Sequence, residues 1–160
     1  MRATGVNHVS IQATDLEESA RFYEELLGME RLPTPNFGTP VQWMRLGDRQ
    51  LHLFLRNQEA PRFHHLGIDV DDFEAVYLKA KKQGLLDFET FGAALRAHPS
   101  GWVQMYIRDP AGNLVEIDTP DGASIDRSVV TDIVDLDDEV EQVGDERTAT
   151  IYTALGQPAR

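Results

Sequence analysis

The stretch Phe63-His64-His65-Leu66-Gly67-Ile68-Asp69-Val70-Asp71-Asp72 decides the fold, because it repeats the start of the chain. Its counterpart is Val6-Asn7-His8-Val9-Ser10-Ile11, followed by Thr14-Asp15. Setting His65 over His8 also sets Ile68 over Ile11, Asp72 over Asp15 and Glu74 over Glu17. Each stretch alternates apolar and polar residues as a strand does, and each then leads into an amphipathic segment. The first segment runs from Leu16 to Leu27 and ends at Gly28; the second follows Asp71-Asp72 through Lys82 and ends at Gly84. An aspartate before such a segment caps the free N–H groups of a helix, and a glycine after it supplies the left-handed turn that ends one.

Three short strands are expected after each helix. In the first copy they are Glu30–Pro33, Val41–Leu46 and Gln50–Leu55, separated by Pro35, Gly38, Pro40 and Gly47-Asp48. In the second they are Leu86–Thr90, Trp102–Ile107 and Leu114–Asp118. The chain is therefore expected to be an α+β protein built of two βαβββ modules, residues 5–57 and 61–120, within a domain of residues 1–121. One such sheet cannot cover both of its own faces, so the two modules should pair into an incomplete β-barrel.

Charge sets residues 122–160 apart. Residues 1–121 carry 12 Lys+Arg against 18 Asp+Glu, whereas the last 39 carry 3 against 9. Asp132, Asp135, Asp137, Asp138, Glu139 and Glu141 are interleaved with Val129, Val130, Ile133, Val134 and Leu136. This acidic C-terminal extension is expected to be a solvated tail whose apolar patch docks on the body or on a partner subunit. The net charge of −12 argues against nucleic-acid binding, which needs cations to neutralise phosphates. No signal-peptide pattern or bilayer-length apolar run is read, so a cytoplasmic protein without membrane contact is expected. With no cysteine, disulfides, thiolate metal sites and a cysteine nucleophile are excluded.

Strand alternation picks out the chemistry. His8 shares a face with Ser10 and Gln12, His52 lies opposite Leu51 and Leu53, His65 opposite Leu66 and Ile68, and Glu116 opposite Val115 and Ile117. With the apolar faces under the helices, the other faces collect three imidazoles and one carboxylate. A carboxylate placed among apolar walls is costly unless it is paired or bound to a cation. Imidazole and carboxylate without thiolate suit Fe(II), Mn, Ni, Co or Zn.

Residues 5–120 resemble the vicinal oxygen chelate superfamily of glyoxalases, epimerases, thiol transferases, drug-binding proteins and extradiol dioxygenases. The run Asp109-Pro110-Ala111-Gly112-Asn113-Leu114-Val115-Glu116 is similar to the last turn and strand of that superfamily, which end at its metal carboxylate. The resemblance implies a metal held by His8, His65 and Glu116. Type I extradiol dioxygenases match further, through His98, Met105-Tyr106, Asp109-Pro110, Gly112 and Glu116, the paired His64-His65, and His52 thirteen residues before His65. Arg96 departs from that signature, and the additional N-terminal modules of its larger members are absent.

This resemblance implies cleavage of a catechol-like small molecule with Fe(II) and O2. His52 would be the acid–base group, Tyr106 would bond the bound oxygen or an intermediate, and His98 would stand behind it. The alternative is a lyase or isomerase with His8, His52, His65 and Glu116 all on a divalent metal. A third reading is a non-catalytic binding protein. Relatives imply a homodimer. Duller readings stand beside these: Tyr106 as a barrel residue, His98 as a loop histidine, His64 facing outward, and Arg96 as a solvated arginine.

Overall fold

In the computed structural model, residues 3 and 5–151 are described. The expectations that touch residues 1, 2, 4 and 152–160 lie outside them. The chain forms two compact units, one of residues up to 64 with 109–114, the other of residues 65–108 and those from 115 onward.

Unit one contains β1 (His8–Ala13), α1 (Leu16–Leu27), β2 (Glu30–Leu32), β3 (Val41–Leu46) and β4 (Arg49–Leu55). The sheet order is β1-β4-β3-β2, with β1 parallel to β4 and the other pairs antiparallel. The Asp15 side chain accepts the Glu18 N–H at 2.9 Å and starts α1. Gly28, at φ 64°, closes it. Phe22, Tyr23 and Leu26 form the buried stripe of α1, which packs on the sheet where Met44, Leu51 and Leu53 are fully buried. Alternation then turns Trp43 of β3 and Gln50, His52 and Phe54 of β4 to the opposite face.

The Asp109–Asn113 turn also belongs to unit one. Asp109 Oδ1 accepts the N–H groups of Ala111 and Asn113 at 3.0 and 2.8 Å. Its Oδ2 accepts from the Tyr23 hydroxyl at 2.9 Å and from Asn113 Nδ2 at 2.7 Å. Four donors thus satisfy a buried carboxylate, which otherwise would carry a large desolvation cost.

Unit two contains β5 (His65–Asp69), α2 (Phe73–Gln83), β6 (Leu95–Ala97), β7 (Val103–Arg108), β8 (Leu114–Thr119) and β9 (Ile133–Asp135). The sheet order is β5-β8-β7-β6-β9. Asp72 caps α2 by accepting the Ala75 N–H, and Gly84 ends it. Tyr77, Leu95, Met105, Ile107, Val115 and Ile117 make up its fully buried core. Each unit thus carries the expected βαβββ order within an α+β architecture.

Two expectations are corrected here. Leu86–Thr90 is not a strand: a single bridge joins Leu86 to Ile107, and the strand in that place is β6 at Leu95–Ala97. Asp87 accounts for this, because its carboxylate accepts the N–H groups of Glu89 and Thr90 and closes a turn on itself. Arg108 fixes that turn through Asp87 Oδ2 at 2.6 Å and Thr90 Oγ1 at 2.6 Å. The described part of the acidic extension, in turn, is not a solvated tail. It follows unit two closely, adding β9 parallel to β6 and burying Ile125 and Val130. Four of its carboxylates have cationic partners: Asp132 with Lys81, Asp135 with Arg127, Asp137 with Arg147, and Glu139 with Arg96.

Candidate functional site

In unit one, sheet register builds a column of rings. Trp43 of β3 lies directly across from His52 of β4, and His52 lies beside Ser10 of β1. His8, two residues before Ser10, is therefore on the same face. The His8 and His52 rings stack with centroids 4.3 Å apart, and those of His52 and Trp43 at 4.4 Å. His52 is buried, and Gln50 Oε1 stands 2.9 Å from its Nε2. Burial, helped by the neighbouring His8, lowers the His52 pKa and favours the neutral ring. A neutral imidazole is the form that can serve as a metal ligand. His8 is exposed, with Nδ1 2.5 Å from Asn7 Oδ1. A cavity of about 640 Å³ opens on this face, lined in part by His8, Phe37, Trp43, Gln50, His52 and Phe54.

In unit two the acidic half of the predicted set assembles around β8. Glu116 is buried, and its Oε2 lies 3.2 Å from His65 Nε2 on β5. The Tyr106 hydroxyl, from β7, donates to the same carboxylate, and the Tyr106 ring meets His65 edge-on at 5.6 Å. Burial foremost, then Glu116, raises the Tyr106 pKa far above its ordinary value, so the hydroxyl keeps its proton. Tyr106 is thus a barrel residue whose hydroxyl is tied to the buried Glu116. Two residues after Glu116, on the same face, lies Asp118. Burial and the adjacent Glu116 charge push its carboxyl up to about 9. The buried Oδ1 of Asp118 has no hydrogen-bond partner, and a Cβ on Gly67 would come within 3.3 Å of Oδ2.

The remaining predicted residues fall nearby in unit two or outside the site. His98 stacks on Trp102 at 3.6 Å, and its Nε2 lies 3.1 Å from Gln104 Oε1. It is half-buried, which lowers its pKa against the opposing pull of Gln104, so it is not an exposed loop histidine. His64 is exposed. Arg96 is neither solvated nor turned to a ligand: it pairs with Glu139 and bonds the Phe91 carbonyl. Asp71 is exposed, and Asp72 caps α2 as expected.

Among the described residues, neither unit by itself gathers three His, Asp or Glu side chains into a metal-holding group. His8 with His52 in one unit and His65 with Glu116 in the other are the pairs present. Their chemistry fits a divalent ion of the borderline class, which takes imidazole and carboxylate together. The unpartnered Asp118 Oδ1 beside Glu116 fits a site that accommodates further positive charge or a donor.

Sequence reading passed over Asp118, Gln50 and Gln104. One signal would have found all three: each lies two residues from a chosen side chain on the same strand face, next to Glu116, His52 and Tyr106 respectively.

Comparison with known proteins agrees with this architecture. The human mitochondrial methylmalonyl-CoA epimerase is 30% identical over 71% of this chain and 72% of its own length. The bovine epimerase is 31% identical over 71% and 73%. The crystal structure of a glyoxalase family protein from Bacillus anthracis superposes with a TM-score of 0.59 at 26% identity, covering 74% of this chain and 98% of that one. Those curated relatives are epimerases, so they favour the isomerase alternative over the dioxygenase reading. Residues 5–117 match the family described as Glyoxalase/Bleomycin resistance protein/Dioxygenase superfamily, and the chain is a member of it.

Proposed function

We propose that the protein is a divalent-metal-dependent isomerase that moves a proton at the carbon next to a substrate carbonyl. The ligand set in this reading is His8, His52, His65 and Glu116. The observation that carries it is the packing of His52 against His8, ring on ring at 4.3 Å. That packing places the His52 ring next to one member of the set, as a fourth ligand requires. The likeness to methylmalonyl-CoA epimerases supports the same choice and points to an acyl thioester with a substituted α-carbon as the substrate class.

A divalent ion bound there would polarise the substrate carbonyl and make the neighbouring C–H more acidic. Glu116 accepts the proton as the C–H bond breaks, and a proton from solvent delivered to the opposite face of the same carbon completes the isomerisation, so no oxidant or reductant is consumed. Tyr106 holds the carboxylate in place through its hydroxyl, and His65 Nε2 stands 3.2 Å from the same carboxylate, as neighbouring ligands would. The aromatic wall of Phe37, Trp43 and Phe54 excludes water from one side of the substrate. The working form in this reading is a homodimer, which sedimentation equilibrium would register as twice the 18.0 kDa chain mass.

The test is isotope exchange. Under anaerobic conditions in D2O, with Co(II), Ni(II) or Zn(II) added, a 2-substituted acyl thioester should take up deuterium at its α-carbon. A dioxygenase reading retains one supporting feature, the Tyr106–Glu116 bond in the His98–Tyr106–Glu116 signature. O2 uptake with a catechol panel, restricted to Fe(II) and without any deuterium wash-in, would establish that reading and dismiss the isomerase.

A further inference from the structure

Arg96 lies on the three-residue strand β6, between β7 and β9, with its side chain only 12% exposed. A guanidinium has five donors and no acceptor, so burial obliges it to find oxygen atoms. Nη2 donates to the Phe91 carbonyl at 2.5 Å, and Nη1 reaches the Ala93 carbonyl at 3.5 Å. Nε donates to Glu139 Oε2 at 2.6 Å. Glu139 closes α3 (Leu136–Glu139) in the C-terminal extension. That segment is anchored on both sides of Glu139, by the β9–β6 pairing that sets Val134 beside Arg96 and by the Arg147–Asp137 ion pair.

Phe91 occupies the middle of the segment between Asp87 and β6. Its ring lies 4.7 Å from the Tyr106 ring and meets His65 edge-on at 6.2 Å. Phe91 as a residue is 36% exposed, so burial holds it weakly. Arg108 fixes the Asp87–Thr90 end of the segment, and Arg96 fixes the Phe91–Ala93 end. The second clamp reaches the extension, through the Arg96–Glu139 pair.

We infer that the C-terminal extension is a positioning element of the Tyr106–His65–Glu116 site, with Glu139 orienting Arg96, Arg96 holding the Phe91 backbone, and Phe91 setting the Tyr106 ring. Glu139 and Arg96 are positioning residues and need touch neither substrate nor metal. The extension is then as much a part of the site wall as the strands are. The inference takes its functional meaning from the isomerase reading, but the mechanical coupling stands apart from it.

The test uses the full chain, without metal or substrate, carrying 13C-labelled tyrosine. Tyr106→Phe assigns the Tyr106 resonance among the four tyrosines, and Tyr23 in unit one is the internal control. In Glu139→Gln, Glu139→Ala and Arg96→Lys the Tyr106 ring signal should move while that of Tyr23 stays. Amide exchange of residues 90–95 should quicken about tenfold, the change expected when one charge-assisted hydrogen bond is lost. In a Phe91→Leu background, Glu139→Gln should cause no further movement of Tyr106.

Wild-type Tyr106 shifts and wild-type exchange in all three variants would overturn the coupling. An undiminished Glu139→Gln effect in the Phe91→Leu chain would overturn the route through Phe91. If Glu139→Ala also loosens residues 130–138, Glu139→Gln decides, because it retains the side chain's shape and one acceptor oxygen. A wild-type chain that shows the NMR coupling but no α-deuteration would sink the isomerase reading and leave the coupling intact.

Discussion

Asp109 shows how far one side chain organises its surroundings. Its carboxylate is buried under four hydrogen bonds, two from its own turn and two from Tyr23 and Asn113. Removing it leaves the Tyr23 hydroxyl and the Asn113 amide short of an acceptor. Asp109→Ala should therefore cost about 2–4 kcal/mol in urea unfolding, and Tyr23→Phe only about 1 kcal/mol. In the isomerase reading proposed above, Glu116 takes the proton. Glu116→Gln keeps an oxygen for the Tyr106 hydroxyl but cannot take up a proton. It should fold with a melting temperature close to wild type and lose at least about a hundredfold in α-deuteration rate. A rate within a few-fold of wild type would remove Glu116 from the proton transfer.

Among elements, α1 and β2 are joined by Arg31, which bonds Glu17 at 2.7 Å and Glu24 at 2.9 Å. The Arg31 guanidinium holds the Glu17 carboxyl at about 2, against an ordinary 4.5. A depressed carboxylate pKa gives stability that is fully present above about 4.5 and lost as pH falls through about 2. The stability gap between wild type and Arg31→Ala should accordingly shrink across that window. Because Glu17 is exposed, it should also shrink in 1 M salt, where screening acts over about 3 Å. An acid titration of both chains by circular dichroism checks both points. Gly122, where the extension leaves β8, makes a second junction. A Cβ there would stand 2.7 Å from the Gly101 carbonyl oxygen and 2.7 Å from Val103 Cγ2. Gly122→Ala should destabilise unit two by about 1–3 kcal/mol, since backbone cannot yield as a flexible side chain does.

Elements with local signals were legible in the sequence. Asp15 and Gly28 bound α1, and Asp72 and Gly84 bound α2, because capping chemistry acts within a few residues. Alternation likewise placed His52 on the His8 face, whereas Tyr106 was picked out only by the resemblance to a dioxygenase signature. The Asp87 turn was missed because an apolar run hid a side chain that competes for its own backbone N–H groups. Docking of the extension's apolar patch was expected, but its pairing as strand β9 and its ion pairs were missed for a different reason. Its acidic residues find their cations at long range, with Asp132 reaching back to Lys81 and Glu139 to Arg96, and periodicity carries no record of such partners.

For the molecule as a whole, two βαβββ units and a folded extension are the frame, and the net charge of −12 overstates how much repulsion the extension feels. Four of its carboxylates are neutralised by cations of unit two and of the extension itself. Among the described residues no helix is long and apolar enough to cross a membrane. The central claim is that the members of the two ligand pairs all bind the same ion. Co(II) titration followed by visible absorption tests it most directly, because band position and intensity report the donors on the ion. We predict saturation with one site per chain, and affinity at least about tenfold weaker in each of His8→Ala, His52→Ala, His65→Ala and Glu116→Gln. Co(II) binding by His52→Ala with wild-type affinity and spectrum would contradict it.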